Sequence, residues 1–134
     1  MSTQDLYGFR ANDLEAARSS VETALGVKLD PRNSSYRGGD YYCKSTQDKD
    51  EVLLQTNNDG EEDGWAEEDY KEFGVLLRVY SPEHGDKYKK ALTDRDRGFT
   101  LLERSLTTPS GVLRRMRYTN GKEETYFERQ INNI

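Results

Sequence analysis

The side chains best suited to chemistry are concentrated in one short segment, residues 57–72, which reads NNDGEEDGWAEEDYKE. Eleven acidic residues and two lysines fall between positions 47 and 72, so this stretch carries a formal charge of −9, while the whole chain carries −5. Trp65, the only tryptophan, stands inside the acidic run. Dense carboxylates can bind a divalent cation, transfer protons or attract a basic partner, and each role demands a different spacing.

Calcium binding is the first possibility, and the spacing of the acidic residues argues against it. The standard calcium loop needs a glycine at its sixth position and a bidentate glutamate at its twelfth. If Gly64 is that glycine, the twelfth residue is Tyr70; if Gly60 is, the twelfth residue is Ala66. The sequence therefore predicts no specific calcium site, and we expect no metal or other cofactor.

Signatures of catalysis are also missing from the sequence. His84 is the only histidine, and it falls on the first turn of a predicted helix, where a lone histidine is usually solvated. Cys43 is the only cysteine, and its place in a predicted strand favours a buried, unreactive thiol. No nucleophile-elbow or phosphate-loop pattern occurs. We therefore expect no catalytic residues and a protein that is not an enzyme.

Length and composition indicate a single folded domain spanning residues 1–134. One cysteine allows no internal disulfide, and the amino-terminal residues do not resemble a signal peptide, so we expect a cytoplasmic protein. A sequence pI near 5.0 argues against nucleic-acid binding and against attachment to an anionic membrane. The same acidity permits a basic protein as the partner.

Local patterns predict an α+β fold. Apolar residues at helical spacing predict a helix from the capping residue Asn12 to Gly26, and Ser81-Pro82 is typical of the start of a second helix. The apolar stretch 74–80 predicts a central strand buried on both faces, with a parallel strand following the second helix. Asn120-Gly121 predicts a carboxy-terminal hairpin. We expect two helices packed on a mostly antiparallel sheet, ferredoxin-like with insertions.

Several stretches in the first half of the chain support a resemblance. They are Tyr7-Gly8-Phe9, the predicted helix, the segment SSYRGGDYY at 34–42 and the segment LLQTNND at 53–59. Together with the size and charge of the chain, they make it similar to bacterial immunity proteins of contact-dependent and polymorphic toxin systems. The resemblance implies a binding protein that neutralises a cognate toxin domain, typically a basic nuclease.

Two candidate partner-binding surfaces follow, with aromatic rings as anchors and carboxylates for steering. The first consists of Asp59, Glu61, Glu62, Asp63, Trp65, Glu67, Glu68 and Asp69, and the second of Tyr36, Arg37, Tyr41 and Tyr42. Burial of Trp65 in the core would leave only the surrounding charges for a partner, whereas exposure would favour binding.

Three alternatives remain open at the level of sequence. The acidic run can be a solvated loop that only keeps the protein in solution. The chain can instead be a small-molecule-binding or enzymatic domain with a pocket between sheet and helices, lined by Tyr36, Arg37, Arg78 and Tyr80. Finally, the carboxy-terminal hairpin can act as a pairing edge in an assembly.

Overall fold

A computed structural model describes residues 2–34, 39–44, 49–58, 64–94, 97–119 and 122–131. Its elements, in chain order, are β1 (Ser2–Phe9), α1 (Leu14–Leu25), β2 (Leu29–Ser34), β3 (Gly39–Lys44), β4 (Glu51–Thr56), β5 (Val75–Ser81), α2 (Gly85–Leu92), β6 (Phe99–Thr107), β7 (Val112–Thr119) and β8 (Lys122–Gln130). Residues 68–70 form one further turn of 3-10 helix.

The eight strands form one sheet in the order β2-β3-β4-β5-β1-β6-β7-β8, and all neighbouring pairs are antiparallel. Strand β1 lies between β5 and β6, so these two strands run parallel to each other, as predicted for the unit that contains α2. The prediction of an α+β protein with two helices and an antiparallel sheet is confirmed. The sheet is, however, much larger than that of a ferredoxin-like fold.

Helix α1 forms where the apolar spacing predicted it. Ala17 and Val21 are fully buried, and Gly26 ends the helix in the left-handed conformation, with φ of 66°. The predicted cap was wrong by one residue, because the carboxylate of Asp13 rather than the side chain of Asn12 accepts the backbone N–H of Ala16, at 2.9 Å.

Helix α2 begins later than the sequence predicted. Ser81 is the last residue of β5, and its hydroxyl accepts the backbone N–H groups of Glu83 at 3.3 Å and His84 at 2.8 Å. The serine therefore holds a turn ahead of the helix, and the helix proper starts at Gly85. Serine was correctly predicted to accept backbone N–H groups at this position, but those N–H groups belong to the turn before α2 and not to the helix itself.

Both helices pack on one face of the sheet. The core between them includes Tyr7, Leu54 and Leu77 from the strands, Val21 from α1 and Leu92 from α2, all fully buried. Because strand residues alternate between faces, the neighbours of these strand residues point to the opposite face. We call that opposite side the open face.

Part of the open face is also apolar and buried. Leu6, Leu76 and Leu102 form a second cluster there with Phe73, which directly follows the acidic segment. Gly8 permits this approach, since a Cβ at that position would collide with the ring of Phe73. Residues 64–73 therefore cover the open face of β5 at one end, whereas Arg78 and Tyr80 farther along that face are only partly buried, so the predicted burial on both faces holds for one end of the strand.

One buried ion pair ties the first strand to the sixth. The Nε and Nη2 atoms of Arg104 donate to the two carboxylate oxygens of Asp5 at 2.8 and 2.9 Å, and Nη1 donates to Asp86 of α2 at 2.7 Å. Both Arg104 and Asp5 are buried, whereas the side chain of Asp86 is 75% exposed. The hydrogen bond from Arg104 is the main reason that the pKa of Asp86 lies below its ordinary value.

We expect Asp5→Ala to destabilise the protein by about 3–5 kcal/mol, because it leaves the buried guanidinium of Arg104 with only the carbonyl of Gly85 and the exposed carboxylate of Asp86 as partners. Asp86→Ala removes a carboxylate from the same arginine at an exposed position, so its cost should stay below about 1 kcal/mol. Urea denaturation of the two variants and the unmodified chain measures both changes. Equal losses of unfolding free energy would contradict the assignment of the buried pair as the structural contact.

Candidate functional site

The acidic segment is held to the sheet by one buried side chain, that of Asn57, directly after β4. The amide nitrogen donates to the carbonyl oxygens of Tyr70 at 2.8 Å and Phe73 at 2.9 Å, and the amide oxygen accepts the backbone N–H of Glu67 at 2.8 Å. The backbone of Asn57 adds bonds to Ala66 at 2.7 Å and Gly74 at 2.9 Å. Residues 64–74 therefore fold around this amide and return to β5.

Trp65 is neither buried in the core nor fully exposed. Its ring is half-buried and belongs to neither apolar cluster, while its backbone forms a β-bridge with Asn58. The ammonium of Lys71 lies 5.6 Å from the ring centroid. The tryptophan is thus held at the surface with part of its ring accessible.

The described carboxylates of the segment divide into two groups. Glu67 turns toward the sheet, and its Oε1 accepts from Nη2 of Arg78 on β5 at 2.7 Å. Glu68, Asp69 and Glu72 are exposed, and among the described residues a cation lies near Glu68 alone, the ammonium of Lys71 at 3.7 Å. The predicted residues Asp59, Glu61, Glu62 and Asp63 lie outside the described residues.

The second candidate surface is divided between the two faces of the sheet. Tyr42 faces the helices, where its hydroxyl donates to Glu15 of α1 and the guanidinium of Arg18 lies 4.7 Å from its ring centroid. The bond to Glu15 raises the pKa of the Tyr42 hydroxyl. Tyr41 alternates to the open face, opposite Gln55 of β4. Tyr36 and Arg37 lie outside the described residues.

A groove with a volume of about 910 Å³ runs across the open face, beside the acidic segment. Among the residues that line it are Gln4, Glu51, Glu67, Arg78, Tyr80 and Ser105. The sequence analysis placed Arg78 and Tyr80 in a possible pocket between the sheet and the helices. Both residues instead line this groove, which lies on the face away from the helices. Glu67 belongs to both the groove and the acidic segment, so the two features are continuous.

The side chains of Ser81, His84 and Asp50 meet at the end of β5, but their hydrogen bonds are not arranged to activate the serine as a nucleophile. Asp50 stands in the middle, accepting from the Ser81 hydroxyl at 2.6 Å and lying 3.2 Å from Nδ1 of His84; the Tyr88 hydroxyl also donates to it. Ser81 is fully buried and gives its proton to the carboxylate instead of to the histidine. The cluster therefore joins β4 to α2 as a structural contact.

Two exposed aromatic residues of the carboxy-terminal hairpin were not among the predicted site residues. Tyr126 and Phe127 of β8 are 44% and 36% exposed, and guanidiniums from β7 stack on both, Arg117 at 4.8 Å and Arg115 at 5.2 Å from the ring centroids. Tyr126 also donates to Glu103 of β6 at 3.0 Å. The Asn-Gly pair was the available signal for a hairpin, and the strand register places Phe127 opposite Arg115, whereas Tyr126 falls at the register shift.

Comparison with protein-family models gives no match, and comparison with curated proteins gives none either. Within the described ranges, neither helix is long and apolar enough to cross a membrane. The same part of the chain contains no group of three or more histidine, cysteine, aspartate or glutamate side chains arranged to hold a metal ion.

We expect Asn57→Ala to release residues 64–73 from the sheet, because two carbonyl oxygens and one N–H lose their buried partner. The cost should be about 3 kcal/mol, from the summed penalties of unpaired buried polar groups. Trp65, as the only tryptophan, reports the release as a red shift of fluorescence and faster quenching by acrylamide. The control Asn33→Ala removes an exposed asparagine bonded to Asp40, and it should leave the fluorescence unchanged. An unchanged spectrum in Asn57→Ala would contradict the anchoring role.

We expect the contribution of Asp50 to stability to disappear in acid. Burial alone would raise the pKa of Asp50, but hydrogen bonds from Ser81, Tyr88 and His84 outweigh it and lower the pKa below the ordinary value. A lowered carboxyl pKa stabilises the folded state above the unfolded pKa of about 3.9, and this stabilisation is lost as pH falls through the folded pKa.

The matching measurement compares unfolding free energies of the unmodified chain and of Asp50→Asn from neutral pH down to acid. The difference between the two should be largest at neutral pH and should shrink below about pH 4. The exposed Asp69→Asn serves as the control for losing one carboxylate. A difference for Asp50→Asn that stays constant with pH would contradict the role of its ionised form.

Proposed function

We propose that this chain is a non-enzymatic binding protein of the immunity type, which neutralises a basic, nuclease-like toxin domain by docking it on the acidic segment. The observation that carries this proposal is the anchoring of the segment by Asn57. That anchoring holds Glu68, Asp69 and Glu72 at the surface next to the half-buried ring of Trp65. A solubilising loop has no need for such fixation.

The electrostatics of the segment support a basic partner. Like charges at this density repel one another and cost folding energy, and Lys71 is the one cation within residues 64–74, while Arg78 of β5 pairs with Glu67. A cationic partner relieves the repulsion and is attracted at long range, which raises the association rate. Carboxylates on this surface would occupy the positions that nucleic-acid phosphates take on a nuclease.

Trp65 supports the proposal as an anchor. Tryptophan is enriched among the residues that dominate binding energy, because a large ring loses much exposed surface at little entropic cost. The Asn58 bridge holds the backbone of Trp65 and the ammonium of Lys71 lies over its ring, so a partner would meet the ring in place. A ring and charges that are already fixed in position lose less conformational freedom on binding, which lowers the entropic cost of association.

We also propose that the middle of the molecule is a ferredoxin-like unit. Strands β4, β5, β1 and β6 are adjacent in that order, and α1 and α2 follow β1 and β5 in the chain, which is the βαββαβ pattern. The hairpin β2–β3 extends the sheet beside β4, and the hairpin β7–β8 extends it beside β6. Two additions to one such unit would account for the large sheet.

A second candidate, a small-molecule-binding domain, is favoured by one observation, the groove on the open face. Its volume of about 910 Å³ falls within the range of ligand sites. Sites of that kind are mainly apolar with a few polar groups, whereas this groove is lined largely by charged and polar side chains. The groove therefore fits a polar protein surface better than a small apolar ligand.

The function can be tested with the product of the gene that directly precedes this one in its genome. If that product ends in a basic nuclease-like domain, its expression alone should arrest growth, and co-expression of this chain should restore growth. The variant Glu68→Gln, Asp69→Asn, Glu72→Gln should weaken binding at low salt and flatten the salt dependence of the affinity, because the steering charges are lost.

A matched control changes the net charge equally at other exposed sites: Glu83→Gln, Glu123→Gln, Glu124→Gln. Both triple variants carry a formal −2 instead of −5, so a general effect of net charge would appear in both. Protection that survives both variants equally would show that the acidic segment only keeps the protein in solution. Failure of the chain to bind or protect at all would contradict the immunity function.

A further inference from the structure

A row of four side chains crosses the open face at the groove. The strand register places Glu51 of β4 opposite Tyr80 of β5, Tyr80 opposite Gln4 of β1, and Gln4 opposite Ser105 of β6. Cross-strand partners point to the same face with their Cβ atoms about 5 Å apart. All four residues line the groove, so they form one continuous strip of its floor and wall.

Two members of this row are free to meet another molecule. Glu51 is exposed and Tyr80 is half-buried. Within the described residues, no side chain or backbone group hydrogen-bonds to the Glu51 carboxylate or to the Tyr80 hydroxyl, and no cation pairs with either. The charges around them are already engaged, since Arg78 binds Glu67 and the ammonium of Lys44 donates to the carbonyl of Asp50. The row thus presents one unengaged carboxylate beside one aromatic ring.

A carboxylate next to an aromatic ring is the chemistry that recognises a guanidinium. The ring attracts a cation to its face, and the carboxylate can accept two parallel hydrogen bonds from the planar head group. Leu53 stands two residues from Glu51 on the same face of β4 and gives an apolar surface for the aliphatic stem of a long cationic side chain. Lysine offers neither the planar stacking nor the bidentate fork, so arginine fits this row better.

We propose that the groove of the open face receives an arginine side chain of the basic protein partner, with its guanidinium between Glu51 and Tyr80. This inference rests on the proposed function and specifies where the partner inserts beside the acidic segment. Glu67 connects the two sites, because it lines the groove and belongs to the segment. The segment attracts the partner, and the groove selects a partner that carries an arginine at the matching position.

The test uses the full chain and a defined probe, the capped tripeptide acetyl-Gly-Arg-Gly-amide, titrated while backbone amides are followed by nuclear magnetic resonance. Shift changes should centre on Glu51, Tyr80, Gln4 and Ser105. The peptide with citrulline in place of arginine has the same shape without the charge, and it should bind about tenfold more weakly, as expected for loss of a charge-assisted hydrogen bond.

Single substitutions separate the two contacts of the guanidinium. Glu51→Gln removes the carboxylate charge and Tyr80→Leu removes the ring, and each should weaken arginine-peptide binding by about three- to tenfold. Glu72→Gln is the matched control, because it removes one exposed carboxylate from the acidic segment outside the groove, and its peptide affinity should match that of the unmodified chain.

Three outcomes would overturn the groove site: shift changes confined to residues 64–72, equal binding of the two peptides, or no shift changes at millimolar peptide. The first of these leaves the proposed function intact, because the acidic segment would still bind the cation. Conversely, arginine binding in the groove together with an absence of any effect on the toxin partner would remove the proposed function and retain the groove as an arginine site.

Discussion

The amide of Asn57 is the contact on which the open side of the molecule depends. The side chain is fully buried, and its donors and acceptor are matched by the backbone groups of residues 67, 70 and 73. An amide buried without these bonds would cost several kcal/mol. The loop must therefore adopt the one path that presents those backbone groups, and its path in turn determines where Trp65 and the exposed carboxylates lie.

That path also completes the second apolar cluster. Phe73 reaches Leu6, Leu76 and Leu102 because the chain has been turned back by Asn57, and it can approach β1 closely because residue 8 is glycine. Burial of these side chains stabilises the fold, so the loop that carries the acidic charges is coupled to the stability of the sheet. Substitutions meant to alter binding should therefore be restricted to Glu68, Asp69 and Glu72, which point away from the cluster into solvent.

The elements of the fold were predictable wherever the signal was local. The apolar spacing of α1, the apolar run of β5 and the Asn-Gly pair between β7 and β8 are signals that act over a few residues, and the helix and all three strands are present. The contacts that join the strands and anchor the acidic segment are not local. Arg104 and Asp5 are 99 residues apart in sequence. Asparagine is a residue type typical of turns, whereas the side chain of Asn57 is a buried anchor. Such roles depend on which strands become neighbours, and spacing along the chain does not encode that order.

The edge strands of the sheet indicate whether a partner can bind by adding a strand or by contacting a face of the sheet. The edge strand β2 contains Pro31, which has no N–H to donate. Every residue of the opposite edge strand, β8, is exposed, but the strand carries a register shift beside Thr125 and Phe127 and charged side chains along its length. Proline, bulges and charges are the features by which natural sheets resist pairing with another strand. The open face instead combines a groove, an unengaged carboxylate and a fixed acidic segment, so contact with that face is the geometry by which the proposed basic partner would dock.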